Sequence, residues 1–110
     1  MTDNLVTINE PLSPVSEAYR TLRMNLQYAA LDSDLRTLLV TSPGPGEGKT
    51  TTLANLAVTM AEAEQRVIMV DADLRRPYLH QLFGLQNTAG LTTMMVEEQA
   101  LDTPPLQSTP

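Results

Sequence analysis

A short run of glycines followed by a lysine and two threonines contains the residue types with the clearest chemistry. The run is Gly44-Pro45-Gly46-Glu47-Gly48-Lys49-Thr50-Thr51. Glycines let backbone N–H groups approach phosphate oxygens without a Cβ in the way. Lys49 supplies positive charge for the β- and γ-phosphates of a nucleotide, and the Thr50 hydroxyl is a ligand for Mg²⁺. The run therefore predicts a phosphate-binding loop, in which Thr51 adds a hydroxyl contact to the α-phosphate.

The surroundings of the run support this interpretation, although one position departs from the usual pattern. A phosphate loop normally has a glycine five residues before its Gly-Lys pair, and Pro43 occupies that position. The run follows an apolar segment, residues 38–41, and leads into a helical pattern, where the helix N-terminus favours anions. A Gly/Pro turn that precedes a lysine by chance is the alternative, and the strand-to-helix context favours the loop.

Two aspartates form a second candidate site. Asp71 and Asp73 directly follow the apolar residues 67–70. In an open parallel sheet, ligands bind at the carboxyl ends of the strands. Two carboxylates one residue apart can hold Mg²⁺ through water or accept a proton from a hydroxyl nucleophile. The alternative is a solvated turn that ends a strand, and the upstream loop favours the functional interpretation.

Periodicity and caps predict the helices that position these residues. Ser13 and Pro14 are typical of a helix start, and the pattern continues to about Leu31. A second helix is expected from Lys49 until the polar stretch that begins at Glu62. The expected buried residues are Val15, Tyr19, Leu22 and Leu26 on the first helix and Leu53, Leu56, Ala57, Met60 and Ala61 on the second.

The apolar segments predict an α/β fold. Residues 38–41 and 67–70 are short and β-capable, and each ends in a turn. Strand, helix and strand in this order form a βαβ unit with a parallel pair. Shorter helical pieces are expected at residues 78–83 and 90–96.

Composition narrows the class of protein. The formal net charge of −6 argues against nucleic acid as a partner. The absence of cysteine excludes disulfides and thiolate metal sites. Since the apolar stretches are far shorter than a membrane span, we expect a soluble cytoplasmic protein.

Three segments of the sequence resemble one known family. Residues 71–77 (DADLRRP) resemble the second Walker-type motif of the bacterial tyrosine kinases of the CpsD/CapB capsular exopolysaccharide family. Residues 16–23 resemble the Glu-x-x-Arg-x-x-Arg helix of that family, and residues 42–50 resemble its phosphate loop. The resemblance implies a P-loop NTPase fold of the MinD-like type, present in part, with an N-terminal helix.

The resemblance also implies an activity and roles for residues. The activity is autophosphorylation on tyrosine from ATP with Mg²⁺, in control of capsule or exopolysaccharide synthesis. Lys49 and Thr50 would hold the phosphates and the metal, Asp71 would activate the tyrosine hydroxyl, and Asp73 would support the metal. The implied contacts between subunits of a homo-oligomer are Glu17, Arg20 and Arg23. Without the resemblance, these three residues indicate only a solvated helix face.

The family's third acidic strand is not found. Residues 102–105 (DTPP) resemble the Asp-x-Pro-Pro motif with which this strand ends in the family. The preceding residues 97–100, however, do not have the sequence of a buried strand. We therefore expect an N-terminal fragment that is inactive alone, with a flexible arm at 1–12, a partial kinase domain at 13–96 and an irregular end at 97–110. If Met1 is the true start, a transmembrane polysaccharide co-polymerase that activates the kinase is a separate chain, which recruits it to the membrane.

Two other functions compete with the kinase. The MinD/ParA switch ATPases share the fold, but their loop carries a second lysine where this chain has Gly44. A non-catalytic module that senses nucleotide and regulates a polysaccharide co-polymerase is the other alternative. Phosphotyrosine formed with ATP would distinguish the kinase from both.

Overall fold

The computed structural model describes residues 5–30, 34–46 and 48–109. It divides into two compact units. Residues up to Met69 form the first, and residues from Val70 onward form the second. The first unit contains the predicted phosphate loop, and the second contains the two aspartates.

The first long helix, α2, begins as its sequence predicts. It spans Pro14–Ala29, and the Ser13 hydroxyl accepts a hydrogen bond of 3.2 Å from the Ser16 N–H. Pro14 occupies the first turn, where a missing N–H costs nothing. The helix ends at Ala29, slightly before the predicted Leu31, which lies outside the described residues.

Helix α3 spans Lys49–Glu62 and forms the centre of the first unit, because both α2 and a short N-terminal helix pack against it. Its fully or nearly buried residues are Ala54, Asn55, Leu56, Ala57 and Thr59. The predicted buried side is only partly correct, since Ala61 is exposed. Leu53 and Met60 are only half-buried, because they line a cavity of about 610 Å³ together with Leu56 and Ala57.

The N-terminal segment differs from the expected flexible arm. Val6–Asn9 forms a helical turn, α1, which packs against α2 and α3. Leu5 and Thr7 are buried. A four-residue helix is far too short to be stable by itself, so its order comes from these packing contacts.

The two predicted strands are the main difference between expectation and structure. No β-strand occurs in the described residues, and neither 38–41 nor 67–70 pairs with a neighbour there. A strand exists through its ladder of hydrogen bonds, and no backbone hydrogen bond joins these two described segments; Leu38 and residues 67–69 line the same cavity instead. Leu39 and Ile68 are accordingly 84% and 68% exposed. The parallel pair of the predicted βαβ unit is not formed.

The second unit has a small core and three short helices. Helices α4 (Leu79–Leu82), α5 (Leu91–Val96) and α6 (Gln99–Asp102) follow one another. The core is built from Leu79, Leu82, Phe83 and Ala100. The predicted helical piece at 90–96 is therefore present, whereas the end of the chain is less irregular than expected. Since Asp102 ends a helix, the structure supports the rejection of residues 102–105 as an acidic strand end.

Across the described part of the chain, no helix has both the length and the apolar character that a membrane crossing requires.

Candidate nucleotide-binding site

The predicted phosphate loop adopts a backbone that depends on glycine. Gly46 and Gly48 have φ values of +72° and +80°, in the left-handed region. A Cβ added at either position would meet no atom within 4 Å, so conformation and not space requires glycine. An L-residue in this region costs about 1–2 kcal/mol. Glu47, also predicted to contact the nucleotide, lies outside the described residues.

The loop leads directly into α3. Gly48 is the N-cap, Lys49 is the first helical residue, and Thr50 and Thr51 follow in the first turn. Lys49, Thr50 and Thr51 are all half-buried. The first N–H groups of a 14-residue helix have no partner within the helix, and its dipole favours negative charge. The structure thus brings the lysine, the hydroxyls and the helix N-terminus together as phosphate binding requires.

The start of the loop is closed by a side chain. The Ser42 hydroxyl donates a hydrogen bond of 2.8 Å to the carbonyl oxygen of Gly44. Gly44 is half-buried, and Pro43, at the position of the usual glycine, is exposed. The loop therefore turns at Gly46 and Gly48 without a glycine at position 43.

Asp71 has a structural role that the sequence did not indicate. Its Oδ2 accepts hydrogen bonds from the N–H groups of Tyr78 and Leu79, at 2.9 and 3.0 Å. Its Oδ1 accepts a third from the N–H of Asp73, at 3.1 Å. The carboxylate thereby closes the turn of residues 71–79 and caps the start of α4. Three of its acceptor positions are used by backbone donors, which leaves room for little more than one further partner.

Asp73 organises the next turn. Its Oδ1 accepts hydrogen bonds from the N–H groups of Arg75 and Arg76, at 3.3 and 3.0 Å. This is an Asx-turn, in which the aspartate side chain accepts hydrogen bonds from backbone N–H groups a few residues later. Both aspartates are half-buried. The structure therefore brings Asp71 and Asp73 together with each other in the second unit.

The residues of the loop fit an Mg²⁺ ion that binds together with the nucleotide. Among the residues that the structure describes, no group of three His, Cys, Asp or Glu side chains could hold a metal ion. Mg²⁺ is commonly held by one or two protein oxygens together with phosphates and water, so such a group is not needed. The Thr50 hydroxyl, in the first turn of α3, is of the right chemistry for this role.

The predicted subunit contacts on α2 are used within the chain. Arg20 Nη1 lies 2.5 Å from Glu17 Oε1, and Arg20 Nε lies 3.6 Å from Glu62 Oε2 on α3. Arg23 Nη1 donates to the carbonyl oxygen of Thr59, also on α3. The Glu17 side chain, at 65% exposed, remains the most accessible of the three. Their role between subunits stays a prediction.

Sequence reasoning missed a buried polar cluster beside the loop. Asn55 Oδ1 accepts hydrogen bonds from both the N–H and the hydroxyl of Thr7, at 3.1 and 2.7 Å. Asn55 Nδ2 donates to the Thr51 carbonyl oxygen at 2.9 Å. The available signal was the polar side chain of Asn55 between the apolar residues Ala54 and Leu56 in the sequence of α3.

Comparison with known proteins identifies the family. Residues 38–97, over half of the chain, match the CbiA family, described as the CobQ/CobB/MinD/ParA nucleotide binding domain. The chain belongs to this family of nucleotide-binding domains. The phosphate loop and α3 lie within the matched region, and the MinD-like P-loop fold is thereby confirmed despite the unpaired strands.

Individual relatives are named as tyrosine kinases. The chain is 43% identical to tyrosine-protein kinase YwqD of Bacillus subtilis over 102 residues, which are 93% of this chain and 43% of YwqD. It is 34% identical to tyrosine-protein kinase etk of Escherichia coli over 97 residues, which are 88% of this chain and 13% of etk. The chain spans less than half the length of these relatives. The resemblance to bacterial tyrosine kinases is confirmed.

A solved structure agrees with the fold. The crystal structure of the chimerical protein CapA2B2 superimposes with a TM-score of 0.81 at 38% sequence identity. The superposition covers 87% of this chain and 42% of that one.

Proposed function

We propose that the chain is the ATP-binding part of a bacterial protein-tyrosine kinase that phosphorylates itself and regulates capsule or exopolysaccharide synthesis. The single observation that carries the proposal is the loop with left-handed Gly46 and Gly48 that delivers Lys49 to the start of α3. The similarity to proteins named as tyrosine kinases directs the nucleotide site toward this activity.

In this proposal, each residue of the loop has a separate task. The backbone N–H groups of Gly44, Gly46 and Gly48 would contact the phosphates, and Lys49 would balance the charge on the β- and γ-phosphates. Thr50 holds Mg²⁺ and Thr51 contacts the α-phosphate. Mg²⁺, when bound, neutralises charge that develops on the transferred phosphoryl group. Most of the rate then comes from positioning and electrostatics, for which a rigid loop on a helix is well suited.

The second site is proposed to receive the tyrosine. Asp71 would accept the proton of the attacking hydroxyl, and Asp73 would assist the metal. The three backbone donors that Asp71 already accepts fix the orientation of its carboxylate. A carboxylate whose orientation is fixed in this way can act on a hydroxyl only along its remaining acceptor direction.

The assembly in which the kinase acts is also proposed. A transmembrane polysaccharide co-polymerase would activate the cytoplasmic kinase and hold it at the inner face of the membrane. Homo-oligomers of the complete protein would use Glu17, Arg20 and Arg23. Relatives named as kinases support this proposal, and the acidic net charge of −6 favours protein partners over nucleic acid.

A nucleotide-driven switch is the second candidate. The matched family includes MinD and ParA in its description, which favours this alternative. Against it, Gly44 occupies the position at which the loop of those switches carries a second lysine, so their signature is absent from this loop.

Phosphotyrosine formation tests the proposed activity. Protein expressed from its complete gene is incubated with Mg·ATP and probed for phosphotyrosine, beside Lys49→Met as the matched inactive variant. The proposal expects signal in the wild type and none in Lys49→Met. Nucleotide binding without phosphotyrosine, with or without the co-polymerase, would refute the kinase and favour the switch.

A further inference from the structure

We propose that Asn55 is a positioning residue for the phosphate-binding loop, and that docking of the N-terminal helix α1 onto Asn55 controls nucleotide affinity. The inference rests on the nucleotide-binding function proposed above. It adds a residue and an element, Thr7 and α1, that lie outside the loop itself.

Asn55 joins α1 to the first turn of α3. Its Oδ1 accepts from the Thr7 N–H and hydroxyl, 48 residues away in the sequence. Its Nδ2 donates to the carbonyl oxygen of Thr51. Asn55 is 0% exposed and Thr7 is 1% exposed, so water cannot replace these partners without a structural opening. Buried polar groups that lose their partners carry a large desolvation cost.

α1 depends on docking for its own order. It has four residues, and its anchor, Leu5, is fully buried. On the other side, Ser16 Oγ of α2 lies 2.7 Å from the Glu10 carbonyl oxygen and 3.1 Å from that of Val6. Since a helix of this length does not persist alone, undocking and unfolding of residues 5–10 are the same event. The docked segment is therefore an element with two discrete states.

Docking and nucleotide binding involve the same turn of α3. Lys49 and Thr50 directly precede Thr51, whose carbonyl is held by Asn55. When α1 is docked, Asn55 is fixed and the turn that carries the phosphate ligands is fixed with it. Two events that order the same turn are coupled, and the coupling must act equally in both directions.

A pair of Thr→Val variants in the full chain tests this coupling. Thr7→Val removes the hydroxyl donor to Asn55. Thr59→Val is the matched control, because Thr59 is also a buried threonine whose hydroxyl donates one bond, to the Leu56 carbonyl oxygen at 2.7 Å. Thr59 lies in the second half of α3, away from the loop. Calorimetry with Mg·ATP should show affinity weakened about fivefold by Thr7→Val and by less than about twofold by Thr59→Val.

Two further readouts separate positioning from general loss of stability. Thr7→Ser keeps the hydroxyl and should restore the affinity of the wild type. Hydrogen exchange at the Thr7 amide, which is bonded to Asn55, should slow when Mg·ATP binds the wild type. The inference would be overturned if Thr7→Val and Thr59→Val weakened the affinity for Mg·ATP equally. It would also be overturned if Mg·ATP left the exchange rate of the Thr7 amide unchanged.

The failures of the two proposals are distinguishable. If the wild type binds Mg·ATP, Lys49→Met does not and Thr7→Val binds like the wild type, the inference on Asn55 fails alone. If the wild type binds no Mg·ATP, the nucleotide-binding function fails and the inference fails with it.

Discussion

Arg23 on α2 donates a hydrogen bond of 2.6 Å from Nη1 to the carbonyl oxygen of Thr59 on α3. Arg23 Nε is buried and has no hydrogen-bond partner within the described residues. The guanidinium is therefore committed to the interface of the two long helices. Arg20 makes a second, more exposed link from α2 to Glu62 at the end of α3. A helix predicted to contact other subunits is thus held in place first by contacts inside its own chain.

This relationship predicts unequal effects of the two arginines on stability. Arg23→Ala removes a charge-assisted bond to a half-buried site and should lower the free energy of unfolding by about 1.5–3 kcal/mol. Arg20→Ala removes a solvent-exposed ion pair and should cost under about 1 kcal/mol. Urea unfolding of both variants measures the difference. Equal effects would mean that the Arg23 bond does not hold α2 to α3.

The predicted subunit contact is best tested at Glu17. Its side chain is largely exposed, so Glu17→Gln should leave the fold intact: inside the chain it removes only the exposed ion pair with Arg20, which contributes little to stability. Sedimentation of protein expressed from the complete gene should show a smaller oligomer for Glu17→Gln. Thr21→Ser, an exposed change on the same helix, is the control and should leave the mass unaltered. The same oligomer mass in Glu17→Gln would remove this residue from the interface.

The glycines of the loop should not tolerate a side chain. Gly48→Ala should destabilise the chain by about 1–2 kcal/mol, because φ is +80° there, and should abolish Mg·ATP binding as the backbone rearranges. Gly90→Ser is the matched change at another helix start, where φ is 178° and space is open. It should be neutral in both assays. Normal nucleotide affinity in Gly48→Ala would show that the left-handed turn is not needed for binding.

The two aspartates should differ in their structural roles. In Asp71→Asn, the amide nitrogen cannot accept the backbone hydrogen bonds that one carboxylate oxygen now accepts, so residues 71–79 should loosen at a cost of about 1–2 kcal/mol. Asp73→Asn should keep its turn, because asparagine forms the same turn through its carbonyl oxygen. Hydrogen exchange at Tyr78 and Leu79 reports the difference. Unchanged protection in Asp71→Asn would refute the capping role.

Local signals in the sequence were enough to predict the two long helices. Ser13 and Pro14 define the start of α2 through a cap within three residues, and Gly48 followed by Lys49 defines the start of α3. The phosphate loop was predictable for the same reason, since its chemistry lies within one short stretch.

Features that depend on distant partners could not be predicted. The order of α1 comes from partners on α2 and α3, among them Asn55, which is 48 residues from Thr7 in the sequence. Asp71 becomes a cap only because the chain returns to it at Tyr78 and Leu79. The segments 38–41 and 67–70 have the composition of β-strands. A strand forms, however, only when its backbone pairs with that of another segment, and the composition of one segment does not determine this pairing.

The most direct test of the nucleotide site uses a property of Lys49, which is the only lysine in the sequence. Amine-selective labelling of the full chain, read by mass spectrometry, therefore reports side-chain modification at Lys49 alone. Mg·ATP should protect Lys49 from labelling, and calorimetry should show binding that Lys49→Met abolishes and that Arg36→Met, a loss of charge elsewhere, retains. Labelling that is unchanged by Mg·ATP, together with equal affinity in Lys49→Met, would contradict the assignment of a nucleotide site.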